Sequence, residues 1–143
     1  ETVREKPSFR SAYKARRCVI PAEGYFEWIR DGETKRPHYI HHVEEGRPLL
    51  IAGLWERWEK QEPALETCTL LTCAANRQLE PIHHRMPVLL EDEQALEWID
   101  PAASPDGLER FLRPSHENQL AFREVSRLVN SPKNNAPACI DAL

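Results

Sequence analysis

The chain has 143 residues, 41% of them apolar, with a formal charge of −4 and a pI near 5.9. That length suffices for one domain with a real core, and no apolar run approaches the ~20 residues needed to cross a bilayer. The acidic balance excludes a global electrostatic attraction to nucleic acid, so any such contact needs a local basic patch.

In chain order, Ser8 is placed to cap a short helix. That helix carries Phe9, Ala12 and Tyr13 at i, i+3, i+4 and ends in Lys14, Arg16 and Arg17, cations that suit its dipole. A strand through Cys18-Val19-Ile20 is expected to break at Pro21. Residues 24–29 read as a strand, Asp31-Gly32 as a hairpin turn and residues 37–43 as the partner strand. A turn at Glu45-Gly46-Arg47-Pro48 leads into an apolar and aromatic run over residues 49–58, and residues 61–66 form a polar loop. Residues 67–74 alternate threonine and cysteine with leucine, which predicts a central strand. A turn over residues 76–80 and a strand over 86–90 flank a Pro-bounded segment. Helices are predicted over 92–99 and 106–112, stopped before Pro101 and Pro114, then a strand over 120–125 and a loop over 130–135. Hairpins first and helices later predict an α+β class. The sheet is expected to be mostly antiparallel and strongly curled or barrel-like, with a few short peripheral helices.

Four cysteines, Cys18, Cys68, Cys73 and Cys139, form no C-x-x-C pair. Cys68 and Cys73 are five apart, which on one strand sends them to opposite faces. Reduced, partly buried thiols in a cytosolic protein fit this better than a structural zinc site. His38, His41 and His42, with His83 and His84, raise a metal centre as a competing idea. Alternation along a strand separates His41 from His38 and His42, and no H-E-x-x-H helix is present. Neither metal nor cofactor is therefore expected.

Two segments carry candidate chemistry. Ile82-His83-His84-Arg85-Met86-Pro87 packs two histidines and an arginine between Pro81 and Pro87. Pro21-Ala22-Glu23-Gly24-Tyr25-Phe26-Glu27-Trp28 sets a carboxylate beside an indole. As a strand, it places Tyr25, Glu27 and Ile29 on one face and Phe26 and Trp28 on the other. Glu27 reads either as a solvated strand carboxylate or as an acid–base group among apolar neighbours. His83 reads as a structural imidazole or a proton carrier, with Arg85 two residues on able to bind phosphate. Trp28 reads as core or as a stacking platform for a splayed-out base. Together they suggest acid–base chemistry on something anionic and planar.

Pro-Ala-Glu-Gly-Tyr-Phe-Glu-Trp followed by Ile-His-His-Arg-Met-Pro-Val resembles the SOS response-associated peptidase (SRAP) family. The resemblance extends through Glu1-Thr2, Arg17-Cys18, Ile51-Ala52-Gly53-Leu54-Trp55, Leu71-Thr72, Val125-Ser126 and Val129-Asn130-Ser131-Pro132-Lys133. It implies that Glu27 lies by an N-terminal amine and assists methionine removal and crosslinking, that His83 is catalytic, and that Arg85 contacts the DNA backbone. Thr72 and Lys6 are weaker phosphate-contacting candidates. His84 falls where relatives carry acidic or other polar residues and receives no role. Members begin Met-Cys, and the cysteine freed by methionine removal is reactive. This chain begins Glu1-Thr2-Val3, so it is expected to be the C-terminal two thirds or so of a single SRAP-like domain, without the nucleophile.

The expected function is a DNA repair protein that senses abasic sites in single-stranded DNA and forms a thiazolidine crosslink through an N-terminal cysteine. The 143 residues alone are expected to be inactive. The expected state is a monomer without membrane association, cytoplasmic and nucleoid-associated if bacterial. One alternative is a non-catalytic single-strand-binding module using Trp28, Arg85 and the cluster Lys14, Arg16 and Arg17. A metal-dependent hydrolase is the third reading.

Overall fold

The computed structural model describes residues 2–143, with the backbone but not the side chain of Asp31. Glu1, half of the Glu1-Thr2 dipeptide, lies outside the described residues. The elements run α1 (Pro7–Ala15), β1 (Arg17–Ala22), β2 (Gly24–Asp31), β3 (Thr34–His42), β4 (Leu49–Trp58), β5 (Leu65–Leu70), β6 (Thr72–Ala74), β7 (Arg85–Pro87), β8 (Leu89–Leu90), α2 (Asp92–Ile99), α3 (Pro105–Leu108) and β9 (Leu120–Glu124). Short 3-10 turns lie at Glu109–Phe111, Glu117–Gln119, Arg127–Asn130 and Pro137–Cys139. The class is α+β with mostly antiparallel sheets, as expected.

The barrel-like sheet is corrected. Among the described residues the strands divide into three open sheets: β1-β4-β5 with β8 beside β4, β2-β3-β9, and β6-β7. The division is visible at Leu71, whose N–H donates to Ala52 O at 2.9 Å and whose carbonyl accepts from Val88 N at 2.8 Å. The chain therefore leaves one ladder there and joins another. The strand expected over 67–74 is two strands, and β5 is an outer strand with all six residues exposed. Cys68 is exposed in β5 and Cys73 buried in β6, so separate strands rather than alternation account for their difference.

The chain splits into two compact units, the first comprising the described residues up to Pro21, Leu50–Ala74 and Met86–Ser115. Its core gathers Tyr13, Leu54, Met86, Val88, Trp98 and Leu108, all nearly inaccessible. Trp98 lies edge-on to Tyr13 with ring centroids 5.7 Å apart. Its indole N–H donates to Cys18 O at 3.0 Å, which satisfies the one polar group a buried tryptophan brings. Gly53 permits the close approach of β1 and β4, since a Cβ there would lie 2.8 Å from Ile20 Cδ1.

Arg17 departs from the expectation for the basic cluster. It is 8% exposed. Its guanidinium donates to Tyr13 O (2.9 Å) and Lys14 O (2.7 Å) at the end of α1. It also donates to Trp98 O (2.6 Å) and Asp100 O (2.7 Å) at the end of α2. One cation thus satisfies orphan carbonyls of two helix C-termini and complements both dipoles. Arg16 in turn pairs with Glu56 at 2.6 Å. Two of the three cations assigned to DNA binding in the alternative reading are therefore engaged within this unit.

Several boundaries shift for local reasons. Pro7, not Ser8, opens α1, and Lys6 takes the capping position without a side-chain bond. β1 runs through Pro21, because an outer strand tolerates a missing N–H. α2 matches its expected span and carries a capping box, Glu91 N donating to Gln94 Oε1 at 3.1 Å. The helix expected over 106–112 is instead α3 followed by a 3-10 turn. Among the described residues no helix is long and apolar enough to cross a membrane.

The second unit comprises Ala22–Leu49, Ala75–Arg85 and His116–Leu143. β2 and β3 form a hairpin in unbroken register from Gly24↔His41 to Asp31↔Thr34. The two-residue turn is Gly32-Glu33, one position later than expected, with Gly32 at φ 60°, where glycine is favoured. β9 adds on the far side of β3, from His38↔Glu124 to His42↔Leu120. At the other end of β2, a Cβ on Gly24 would sit 2.5 Å from Ile40 O and from the Tyr39 ring. Only glycine fits there.

Replacing Arg17 by Met should lower unfolding free energy by about 2–4 kcal/mol, because buried carbonyls lose their donor. Arg17→Lys should recover only part of that, as an ammonium lacks the planar fork. Urea denaturation checks both, and an unchanged midpoint for Arg17→Met would refute the capping role. Thiol chemistry gives a second test. Burial, with a smaller contribution from Cys68, pushes the Cys18 thiol above its ordinary value, whereas Cys68 is exposed. A limiting dose of alkylating reagent at neutral pH should mark Cys68 before Cys18, Cys73 or Cys139, as read by peptide mass mapping.

Candidate functional site

The site is assembled within the second unit from β2 and the segment 75–85. That segment is a compact turn built on polar and apolar anchors. Asn76, 7% exposed, accepts the Leu79 N–H on its side-chain oxygen at 3.0 Å. Leu79 and Ile82 are buried. Ile82 N and His83 N both donate to Leu79 O, at 2.8 and 3.0 Å, and Ala75 N donates to His84 O at 3.0 Å. Gln78 ties the turn to β9 by donating to Leu120 O at 2.8 Å. These bonds leave His83 little freedom in where its ring is presented.

His83 is presented to Glu27. Its Nδ1 lies 3.7 Å from Glu27 Oε1, with side chains 39% and 28% exposed. The same Nδ1 lies 2.9 Å from Arg85 O and 3.2 Å from Arg85 N. One ring nitrogen cannot donate to the carbonyl and accept from the amide in the same protonation state. The shorter contact favours the tautomer with the proton on Nδ1, donating to Arg85 O and leaving Nε2 as the acceptor. The Glu27 carboxylate and the Nδ1 edge of the His83 ring are thereby held together at a partly exposed place.

The strand faces fall as alternation predicts. Glu27 pairs across the sheet with His38, and His38 with Glu124. The opposite face carries Phe26 and Trp28, ring centroids 6.3 Å apart, and Phe26 and Tyr39, 5.3 Å apart. Tyr39 stacks on His41 at 5.5 Å. Arg123 donates to Ile140 O at 3.0 Å, meets His41 Nε2 at 2.9 Å and covers the Tyr39 ring at 5.2 Å. Burial and the Glu23 carboxylate hold the Tyr39 phenol above its ordinary value, and the Arg123 guanidinium opposes them. The separation of His41 from His38 and His42 follows from the register.

Of the sequence-derived candidates, Glu27 and His83 are brought together, and half-buried Arg85 holds the His83 ring through its backbone. Trp28 is half-buried on the other face of β2. Its indole N–H donates to Asn130 Oδ1 at 2.7 Å. Lys6, exposed ahead of α1, and Thr72, exposed at the start of β6, belong to the first unit. His84, exposed, lies with its ring centroid 4.5 Å from that of His83. The sequence reading missed Asn130 and Arg123. Asn130 stood inside a quoted motif, but no local periodicity links residues 102 positions apart.

Comparison with known proteins adds an independent line. A family model described as SOS response associated peptidase (SRAP) matches residues 1–132. Abasic site processing protein YoqW of Bacillus subtilis (strain 168) is 43% identical over 145 residues, covering 99% of this chain and 64% of YoqW. Abasic site processing protein HMCES of Gallus gallus is 35% identical over 162 residues, covering 98% of this chain and 48% of HMCES. A crystal structure of a protein from Bacteroides thetaiotaomicron shares a TM-score of 0.90 and 29% identity over 99% of this chain and 63% of that one. The chain therefore spans less than two thirds of the length of each of these relatives.

The Nδ1–H assignment is open to direct measurement. Long-range ¹H–¹⁵N spectra of the neutral protein should show His83 protonated at Nδ1 and bare at Nε2. A neutral ring protonated at Nε2 would refute the assignment and place the lone pair on Nδ1, accepting from Arg85 N.

Proposed function

Because this chain belongs to the SOS response associated peptidase (SRAP) family, we propose that it acts in DNA repair by processing abasic sites in single-stranded DNA. The observation that carries this reading is the approach of Glu27 Oε1 to His83 Nδ1, 3.7 Å apart with both side chains partly exposed. An abasic site in its ring-opened form is an aldehyde, and an aldehyde is captured by a neutral amine. The proposed nucleophile is a cysteine N-terminal to Glu1, as the family resemblance implies. Hydrolysis of the bond after the initiator methionine consumes one water and frees the cysteine's α-amine.

The amine adds to the aldehyde carbon, and loss of one water gives an imine. The thiol sulfur then adds to the imine carbon while the nitrogen takes up a proton, closing a thiazolidine. Each step needs a proton moved at neutral pH. Glu27 accepts a proton from the amine and orients it, and the His83 ring returns protons to the departing oxygen and the ring nitrogen. Trp28 stacks on a flanking base and Arg85 meets a backbone phosphate, while Thr72 and Lys6 are separate phosphate-contacting candidates on the first unit. The protein works as a monomer and needs no cofactor.

The test uses an oligonucleotide with one abasic site and two proteins, one expressed from the gene's own start codon and the other the 143-residue chain. A denaturing gel should show a persistent adduct with the longer protein only. In the longer protein, Glu27→Gln should slow adduct formation by about 10²–10⁴-fold while non-covalent affinity falls less than about twofold. No adduct from either protein would leave a non-catalytic single-strand-binding module and withdraw the roles of Glu27 and His83.

A further inference from the structure

Trp28 and Asn130 are 102 residues apart in sequence, yet the indole N–H donates to Asn130 Oδ1 at 2.7 Å. The segment that carries Asn130 is braced. Ser126 Oγ accepts from Leu128 N at 3.3 Å, and Asn134 Nδ2 donates to Leu128 O at 2.8 Å. Ser131 N also donates to Leu128 O, at 3.3 Å, and Asn134 N to Ser131 O, at 3.0 Å. The Cys139 thiol contacts Asn134 O at 3.8 Å. The loop is thus a small rigid frame with one side chain reaching back to β2.

An indole has a single hydrogen-bonding group, the N–H, and two π faces. Once the N–H is satisfied, the ring cannot turn about its long side chain without breaking that bond. It also has no donor left for the edge of a base. We infer that Asn130 is a positioning residue that locks the Trp28 ring for stacking and keeps the contact neutral to base identity. This inference rests on the proposed reading that Trp28 stacks on a base beside the abasic site. In that role Asn130 touches no nucleotide and acts only through Trp28.

The experiment uses the 143-residue chain and single-stranded oligonucleotides with one abasic site, varying the flanking base, with binding read by fluorescence anisotropy. Asn130→Ala should weaken binding by about fivefold, the loss expected from one orienting hydrogen bond. It should also introduce a preference among flanking bases, because the freed N–H seeks an acceptor. The Trp28 indole N–H resonance should move upfield in Asn130→Ala and stay near its wild-type position in Asn130→Asp, which keeps an acceptor. A purely structural role for Asn130 would change the unfolding midpoint and leave base preference alone. Weakening by Trp28→Ala with no change from Asn130→Ala would overturn the inference and keep the stacking reading. No weakening by Trp28→Ala would overturn the stacking reading and the inference with it.

Discussion

The register of β2 against β3 is the constraint on which the placement of Glu27 and Trp28 depends. Eight consecutive pairs, from Gly24↔His41 to Asp31↔Thr34, decide that Glu27 and Trp28 leave the strand on opposite sides. A slip of one residue would exchange those sides. Two glycines pin the ladder at its ends by different means. Gly32 supplies the left-handed backbone of the turn, and Gly24 admits the Tyr39 ring and the Ile40 carbonyl where any Cβ would collide. Both fix where the Glu27 and Trp28 side chains leave the strand.

His83 reaches Glu27 by a different route. His83 sits on a turn rather than a strand, and a turn holds position only if its backbone groups are satisfied and its apolar residues are buried. Leu79 and Ile82 supply the burial, each contributing roughly 1.5–3 kcal/mol on removal from water. Asn76 and Gln78 supply bonds that the short segment cannot make with itself. The Glu27–His83 approach thus joins a sheet position to a stapled loop.

Much of this was legible along the chain. Strand alternation separated Glu27 from Trp28 and His41 from its neighbours, and the pairing β2–β3 bears that out. Asp92–Ile99 was recovered because its helix signals are local: a capping residue, a period and a following proline. What escaped is what depends on distant partners. Alternation over residues 67–74 looks the same whether one strand or two is formed, and the Leu71 bonds to Ala52 and Val88 that divide it are long-range. Arg17 reads as a surface cation at a helix end until the C-terminus of α2 is seen to reach the same guanidinium. Pairing of strands into three sheets rather than one curled sheet is likewise a tertiary choice.

The outer strand β5 has a consequence of another kind. Leu65, Thr67, Cys68, Thr69 and Leu70 stand in water alongside a row of backbone donors and acceptors, with half-exposed Trp55 and Trp58 on the neighbouring strand. Glu66 is the strand's only charge, and it is already engaged with Arg57. Natural sheets commonly guard such an edge with lysine, proline or a bulge. Here the guard is one carboxylate. Wherever water is made scarce by crowding, drying or concentration, an outer strand so lightly charged gains by pairing with another strand.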